Sequence, residues 1–140
     1  MAKDFVTYDE IQIGDKASFS KTISESDVYQ FAGITGDFNE LHINQVAAES
    51  SLFKSRVVHG CLADSLVSTV LGMKYPGKGT IFLEKSVSYV KPVYLGDTVT
   101  AEITVAEKRE KGRVLFDVSY RNQNGEEVIK GTALVLAPRG

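Results

Sequence analysis

The sequence predicts an α+β domain in which a curled antiparallel sheet wraps around one central buried helix and dimerises through its sheet edges. Three observations lead there. Helical periodicity is confined to the first half of the chain, period-two alternation fills the second half, and the helical segment between them is apolar or small-residued almost all round. With 140 residues the chain can bury one proper core and not two, so 1–140 is expected to form a single domain.

The elements follow in order. After Gly14-Asp15, residues 16–23 are expected to form a first strand. Ser24-Glu-Ser-Asp27 has the form of a capping box, and Val28, Phe31, Ala32 and Thr35 then recur at helical spacing until Gly36 offers a stop, which predicts a short helix over 26–35. Asn44 is placed to cap a second short helix through Val46, Ala47 and Phe53. Leu62, Ala63, Leu66, Val67, Val70 and Leu71 keep a 3.6 period while Cys61, Ser65, Ser68 and Thr69 fill the other positions, so this third helix can be covered on nearly every side. From Thr80 the period is two. Val99, Ala101, Ile103 and Val105 alternate with polar residues, as do Val114, Phe116, Val118 and Tyr120 with Leu115, Asp117, Ser119 and Arg121. Pro92, Gly96-Asp97, Lys111-Gly112 and Asn124-Gly125 punctuate these strands, the last as a two-residue hairpin signal before a closing strand over 128–137. Such a sheet leaves an edge and a helix that need cover, and pairing two copies through an edge covers both: a homodimer is expected.

Composition removes several classes of function. The chain is 43% hydrophobic and 24% charged without low-complexity blocks, as in a globular protein. A net charge of −2 leaves no basic excess for a nucleic-acid partner. Lys74, Lys78, Lys85 and Lys91 remain available for the phosphates of a small ligand. The first ten residues have acidic side chains where a leader would need an apolar run, and no stretch of 18 apolar residues follows, so a cytoplasmic location away from membranes is expected. The single cysteine, Cys61, excludes an internal disulfide.

The chemistry is sought in Gly36-Asp37-Phe38-Asn39-Glu40-Leu41-His42. On a regular helix the spacing from Asp37 to His42 would turn the two side chains about 140° apart. They converge only in an irregular loop, which Gly36 and Asn39 permit. By itself the pair reads as structural, an Asp capping a turn and a His bonding to it. The context changes the reading. His59-Gly60 stands immediately before the apolar helix, where free N–H groups suit an oxyanion and Gly60 presents no side chain to block approach. Addition of water to an enoyl thioester needs both parts: a pair that removes one proton and delivers another, and a donor for the enolate oxygen.

Phe31-Ala-Gly-Ile-Thr35-Gly36-Asp37-Phe38-Asn39-Glu40-Leu41-His42, followed after five residues by Ala48, resembles the hydratase signature of the MaoC-like dehydratases, the (R)-specific 2-enoyl-CoA hydratases with a hot-dog fold. Arg56-Val-Val-His59-Gly60, the apolar helix and Gly77-Lys-Gly79 before the strands are similar to the same family, so the resemblance covers roughly 23–136. It implies that Asp37 and His42 form a catalytic dyad, that the Gly60 N–H is the oxyanion donor, and that Ser68, near the catalytic water, and Asn39 belong to the substrate site. It implies reversible hydration of trans-2-enoyl-CoA to (R)-3-hydroxyacyl-CoA in fatty acid metabolism, without a cofactor, on a coenzyme A or acyl carrier protein thioester. The chain departs from the signature at Glu40, where the family usually has a proline that would stiffen the loop.

Other readings draw on the same residues. Cys61 with His59 and Asp64 could form a thiol nucleophile with its base and orienter, although a lone cysteine before an apolar run is more often a small core residue. Two histidines seventeen apart match no metal-ligand motif, and no metal is expected. A thioesterase would direct Asp37-activated water at the carbonyl carbon, and an acyl-thioester-binding module would need neither group. Neither alternative gives His42 a task.

Overall fold

The computed structural model describes residues 3–140; Met1 and Ala2, which open the segment lacking an apolar run, lie outside them. The elements are β1 (Lys16–Thr22), α1 (Glu25–Thr35), α2 (Glu40–Ile43), α3 (Gln45–Glu49), α4 (Gly60–Asp64), α5 (Leu66–Thr69), a π-turn (Val70–Lys74), β2 (Ile81–Tyr89), β3 (Thr98–Lys108), β4 (Arg113–Arg121) and β5 (Glu127–Leu136). The strands form one five-stranded antiparallel sheet in the order β1-β3-β4-β5-β2.

The alternation read from the sequence is the alternation of burial. Val99, Ala101, Ile103 and Val105 of β3 and Val114, Phe116, Val118 and Tyr120 of β4 are all buried. The register pairs Ala101 with Tyr120 and Ile103 with Val118, so these side chains share one face. Against that face lie Ala63, Leu66, Val67, Val70 and Leu71 of the apolar helix. Burial of each large aliphatic or aromatic side chain contributes roughly 1.5–3 kcal/mol, which fixes the helix on the concave side of the sheet.

Three local expectations are corrected. The apolar helix is interrupted rather than continuous: Ser65 Oγ donates to the Leu62 carbonyl at 2.6 Å, a back-bond that loosens the ladder between α4 and α5, and Tyr75 N–H reaches the Val70 carbonyl at 2.8 Å to close the π-turn. It is covered on one side only, since Cys61, Ser65 and Ser68 are exposed and one chain supplies a single sheet. Asn44 does cap α3, accepting from Ala47 N–H at 3.1 Å, but the helix ends at Glu49 and does not reach Phe53. The β4–β5 connection is longer than two residues. Gly125 N–H donates to the Asn122 carbonyl at 3.0 Å, so Gln123 and Asn124 form the turn and Gly125, at φ +76°, takes the bulge position.

The capping box forms as read: Asp27 N–H donates to Ser24 Oγ at 3.1 Å and Ser24 N–H to Asp27 Oδ2 at 2.9 Å. At the sheet edge, β2 is exposed along almost its whole length, including Ile81, Phe82, Leu83 and Tyr89. Among the described residues no helix is long and apolar enough to cross a membrane.

Candidate active site

Gly36 ends α1 in a left-handed conformation at φ +84°, a backbone state costly for other residues. The chain then runs through 36–39 without regular structure, held by side chains that bond to nearby backbone. Asp37 Oδ1 accepts from Asn39 N–H at 3.1 Å, and Asn39 Oδ1 accepts from Leu41 N–H at 3.0 Å to cap α2. Asn39 is thus a cap residue, exposed to solvent. This loop overcomes the wrong helical spacing: Asp37 Oδ2 lies 4.0 Å from His42 Nε2.

His42 is oriented from its far side. Its Nδ1–H donates to the Val57 carbonyl at 2.7 Å, which leaves Nε2 to face the aspartate. Val57 is itself fixed, because its N–H reaches the Leu41 carbonyl at 3.0 Å and Val58 N–H reaches Val93 at 2.7 Å. Arg56 anchors the same segment to two helices, with Nη1 donating to Tyr29 Oη at 2.9 Å, Nη2 to Glu25 at 2.5 Å and Nε to Gln45 at 3.3 Å. The Glu25 carboxylate holds the guanidinium firmly charged, above its ordinary range.

An apolar cleft of about 490 Å³ opens beside the histidine, walled by Leu41, Phe53, Val58, Pro92 and Val93, with His42 and Gly60 also lining it. His42 and Gly60 are therefore brought together in one cavity. Ser68, exposed on α5, is not among its lining residues, and neither are Asp37 or Asn39. Gly60 is needed for close packing: a Cβ there would stand 2.6 Å from the ring of Tyr89. The Tyr89 hydroxyl donates to buried Asp64 at 2.5 Å, Lys85 pairs with the other oxygen of the same carboxylate, and Tyr120 donates to the Asp64 carbonyl at 2.6 Å. Burial and the Asp64 carboxylate push the Tyr89 phenol well above its ordinary pKa.

The thiol triad is not assembled, because Asp64 is engaged by Lys85 and Tyr89 while His59 Nε2–H donates to the Asp37 carbonyl at 3.0 Å. Lys85 is likewise committed to Asp64 rather than left for a ligand's phosphates. Asp37, His42 and His59 do place donor atoms within 4.8 Å of one another. The two imidazoles, however, are stacked, with centroids 3.8 Å apart and planes 26° apart. Their lone pairs lie in those planes and run side by side, instead of meeting at a point about 2.0–2.1 Å from both nitrogens as a zinc ion requires. Within the cluster, the Asp37 carboxylate and His42 Nε2 face each other as groups able to take and give a proton. The sequence offers His59 as a thiol's base, as the residue before the Gly60 helix start and as half of a histidine pair without metal-ligand spacing, and not as a partner of Asp37; no local pattern marks a contact across twenty-two residues.

Comparison with known proteins gives a consistent picture. The sequence model of a family described as "MaoC like domain" matches residues 10–126. An (R)-specific enoyl-CoA hydratase of Rhodospirillum rubrum is 42% identical over 94% of this chain and 91% of its own length. An (R)-specific enoyl-CoA hydratase of Aeromonas caviae is 39% identical over 91% of this chain and 96% of its own. Among solved structures, the unliganded R-hydratase PhaJ1 of Pseudomonas aeruginosa superposes with a TM-score of 0.92 at 36% identity, covering 97% of this chain and 88% of that one.

Proposed function

The chain belongs to the family of MaoC-like domains, with their hot-dog fold, and on that footing we propose that it is an (R)-specific enoyl-CoA hydratase. It adds water reversibly across the double bond of a trans-2-enoyl-CoA to give the (R)-3-hydroxyacyl-CoA. The observation that carries this reading is the Asp37–His42 pair: Nε2 and Oδ2 are 4.0 Å apart, with Nδ1–H occupied by Val57. At 4.0 Å the two groups are beyond direct hydrogen bonding, and a water about 2.8 Å from each would bond to both at an angle of about 90°.

Hydration at such a pair follows from the geometry. The water's oxygen adds to C3 as its proton passes to the pair, and a proton is delivered to C2; Asp37 and His42 share that work as a coupled unit. Charge that collects on the thioester oxygen is met by the Gly60 N–H at the start of α4, where the first N–H groups of a helix have no partner within it. The apolar cleft beside His42 and Gly60 receives the acyl portion. Ser68 and Asn39 are assigned to the substrate site on the family pattern. No cofactor takes part.

The enzyme acts as a homodimer, a reading supported by the apolar, exposed and outwardly unpaired edge of β2. It works in the cytoplasm, on coenzyme A thioesters or their acyl carrier protein equivalents. The test is the conjugated enoyl thioester's ultraviolet band, followed together with free thiol. Loss of the band without thiol release is expected. Thiol release from a saturated acyl-CoA, with the enoyl band untouched, would make the protein a thioesterase instead.

A further inference from the structure

Resting on that reading, we infer that His59 is a positioning residue of the hydration site: its Nε2–H and ring together fix Asp37, His42 and Gly60 relative to one another. The ring donates to the Asp37 carbonyl at 3.0 Å and stacks against His42 with centroids 3.8 Å apart. The backbone of the same residue runs directly into Gly60. One side chain therefore joins the acid/base loop to the helix start that holds the oxyanion donor. Phe31 of α1 packs on the ring from a third direction at 4.9 Å, and the residue is only 3% exposed. Buried in this way, His59 does not touch substrate.

The choice of side chain supports this role. His59 is the N-cap residue of α4, yet its side chain makes no cap bond, where a serine or aspartate would. Its Nδ1 is buried without a partner, which is unfavourable and which a phenylalanine packed in the same place would avoid. The imidazole's one polar bond among the described residues is the bond to Asp37. For the 36–39 loop, too, this is the bond that reaches a distant segment. The loop's remaining ties run only to its immediate chain neighbours, back to Ala32 and Thr35, forward to Leu41 and His42, or within itself, and its aspartate side chain is 51% exposed. A loop so lightly held needs an external anchor if a 4.0 Å separation is to persist, because a displacement of about 1 Å at such a site can cost 10²-fold in rate.

The test compares His59→Gln, whose amide N–H falls near the position of Nε2, with His59→Met, of similar length but without a donor, and His59→Phe, which keeps a ring and loses the donor. Steady-state hydration of an enoyl-CoA is measured on each variant after its fold is verified by circular dichroism. The expected result is a kcat for the Gln variant at least about tenfold above both others, with KM within about threefold throughout. Equal kcat in the Gln and Met variants, or a loss confined to KM, overturns the inference. A second readout does not depend on activity: the Phe38 amide shares its peptide group with the Asp37 carbonyl. Its NMR resonance is expected to stay near the wild-type position in the Gln variant and to move in the Met variant; no movement in Met also overturns the inference. If the wild-type protein hydrates nothing, the proposed function fails, and the Phe38 resonance still decides the role of His59.

Discussion

Gly60→Ala is the perturbation whose consequence can be worked most fully from the structure. The new Cβ would lie 2.6, 3.0 and 3.1 Å from Cε1, Cδ1 and Cζ of Tyr89, whereas carbon atoms rest at about 3.5–4.0 Å. The ring must move by about 1 Å. It is not free to do so, because its hydroxyl is tied at 2.5 Å to Asp64, which is 2% exposed. A shift of about 1 Å stretches that bond to about 3.5 Å, where it no longer counts as one. Loss of a donor to a buried carboxylate costs roughly 1.5–3 kcal/mol; since the position is not one of positive φ, the alanine returns about 0.4–1 kcal/mol through the unfolded chain. The net expected destabilisation is about 1–2 kcal/mol. In a Tyr89→Phe background the tether is already gone, and Gly60→Ala should then cost close to nothing. Urea unfolding of the four proteins measures the coupling, at one matched concentration because the stability of the proposed dimer would depend on it. Equal costs in the two backgrounds would refute the packing argument.

Other consequences can be tested alongside. Asp64→Ala removes the acceptor of Lys85 and Tyr89 and is expected to cost about 2–3 kcal/mol in urea unfolding, less than the ~3–5 of a fully buried pair because the Lys85 side chain is 33% exposed and can turn to water. Ser24→Ala removes the N-cap of α1 and should lower stability by about 1 kcal/mol. Asp27 governs part of the acid limb. The Ser24 N–H, and after it Lys21, hold its carboxyl below the ordinary 3.8, so the folded state binds fewer protons than the unfolded one. Its stabilisation is full above pH 3.8 and disappears as pH falls through the lower folded value; Asp27→Asn should flatten the urea midpoint across that interval.

What could be read in the sequence was whatever depends on near neighbours. β3 and β4 announced themselves because each buries one face, so Val99 to Val105 and Val114 to Tyr120 alternate in burial as they do in polarity. The Ser24–Asp27 box is complete within four residues and formed as expected. The Asp37–His42 convergence was legible as a geometric demand, since a helix would have parted the pair and Gly36 and Asn39 allowed a loop. The break in the apolar helix was not legible, because it arises from Ser65 bonding to the Leu62 carbonyl, a choice the hydrophobic period does not record. Nor was the His59 bond to Asp37 or the Asp64–Tyr89–Gly60 packing. Each depends on segments that meet only when the sheet curls around the helix. Lys85, read as a possible phosphate ligand, was committed by the same folding to a buried carboxylate.

The central claim is that Asp37 and His42 act as one unit in hydration, and the most direct test is steady-state turnover of an enoyl-CoA by Asp37→Asn, His42→Ala and the double variant. Each single substitution is expected to lower kcat by at least about 10² in a protein that remains folded, and the double variant to fall little further than the worse single. Near-normal turnover in either single variant, or losses that multiply in the double, would contradict the account.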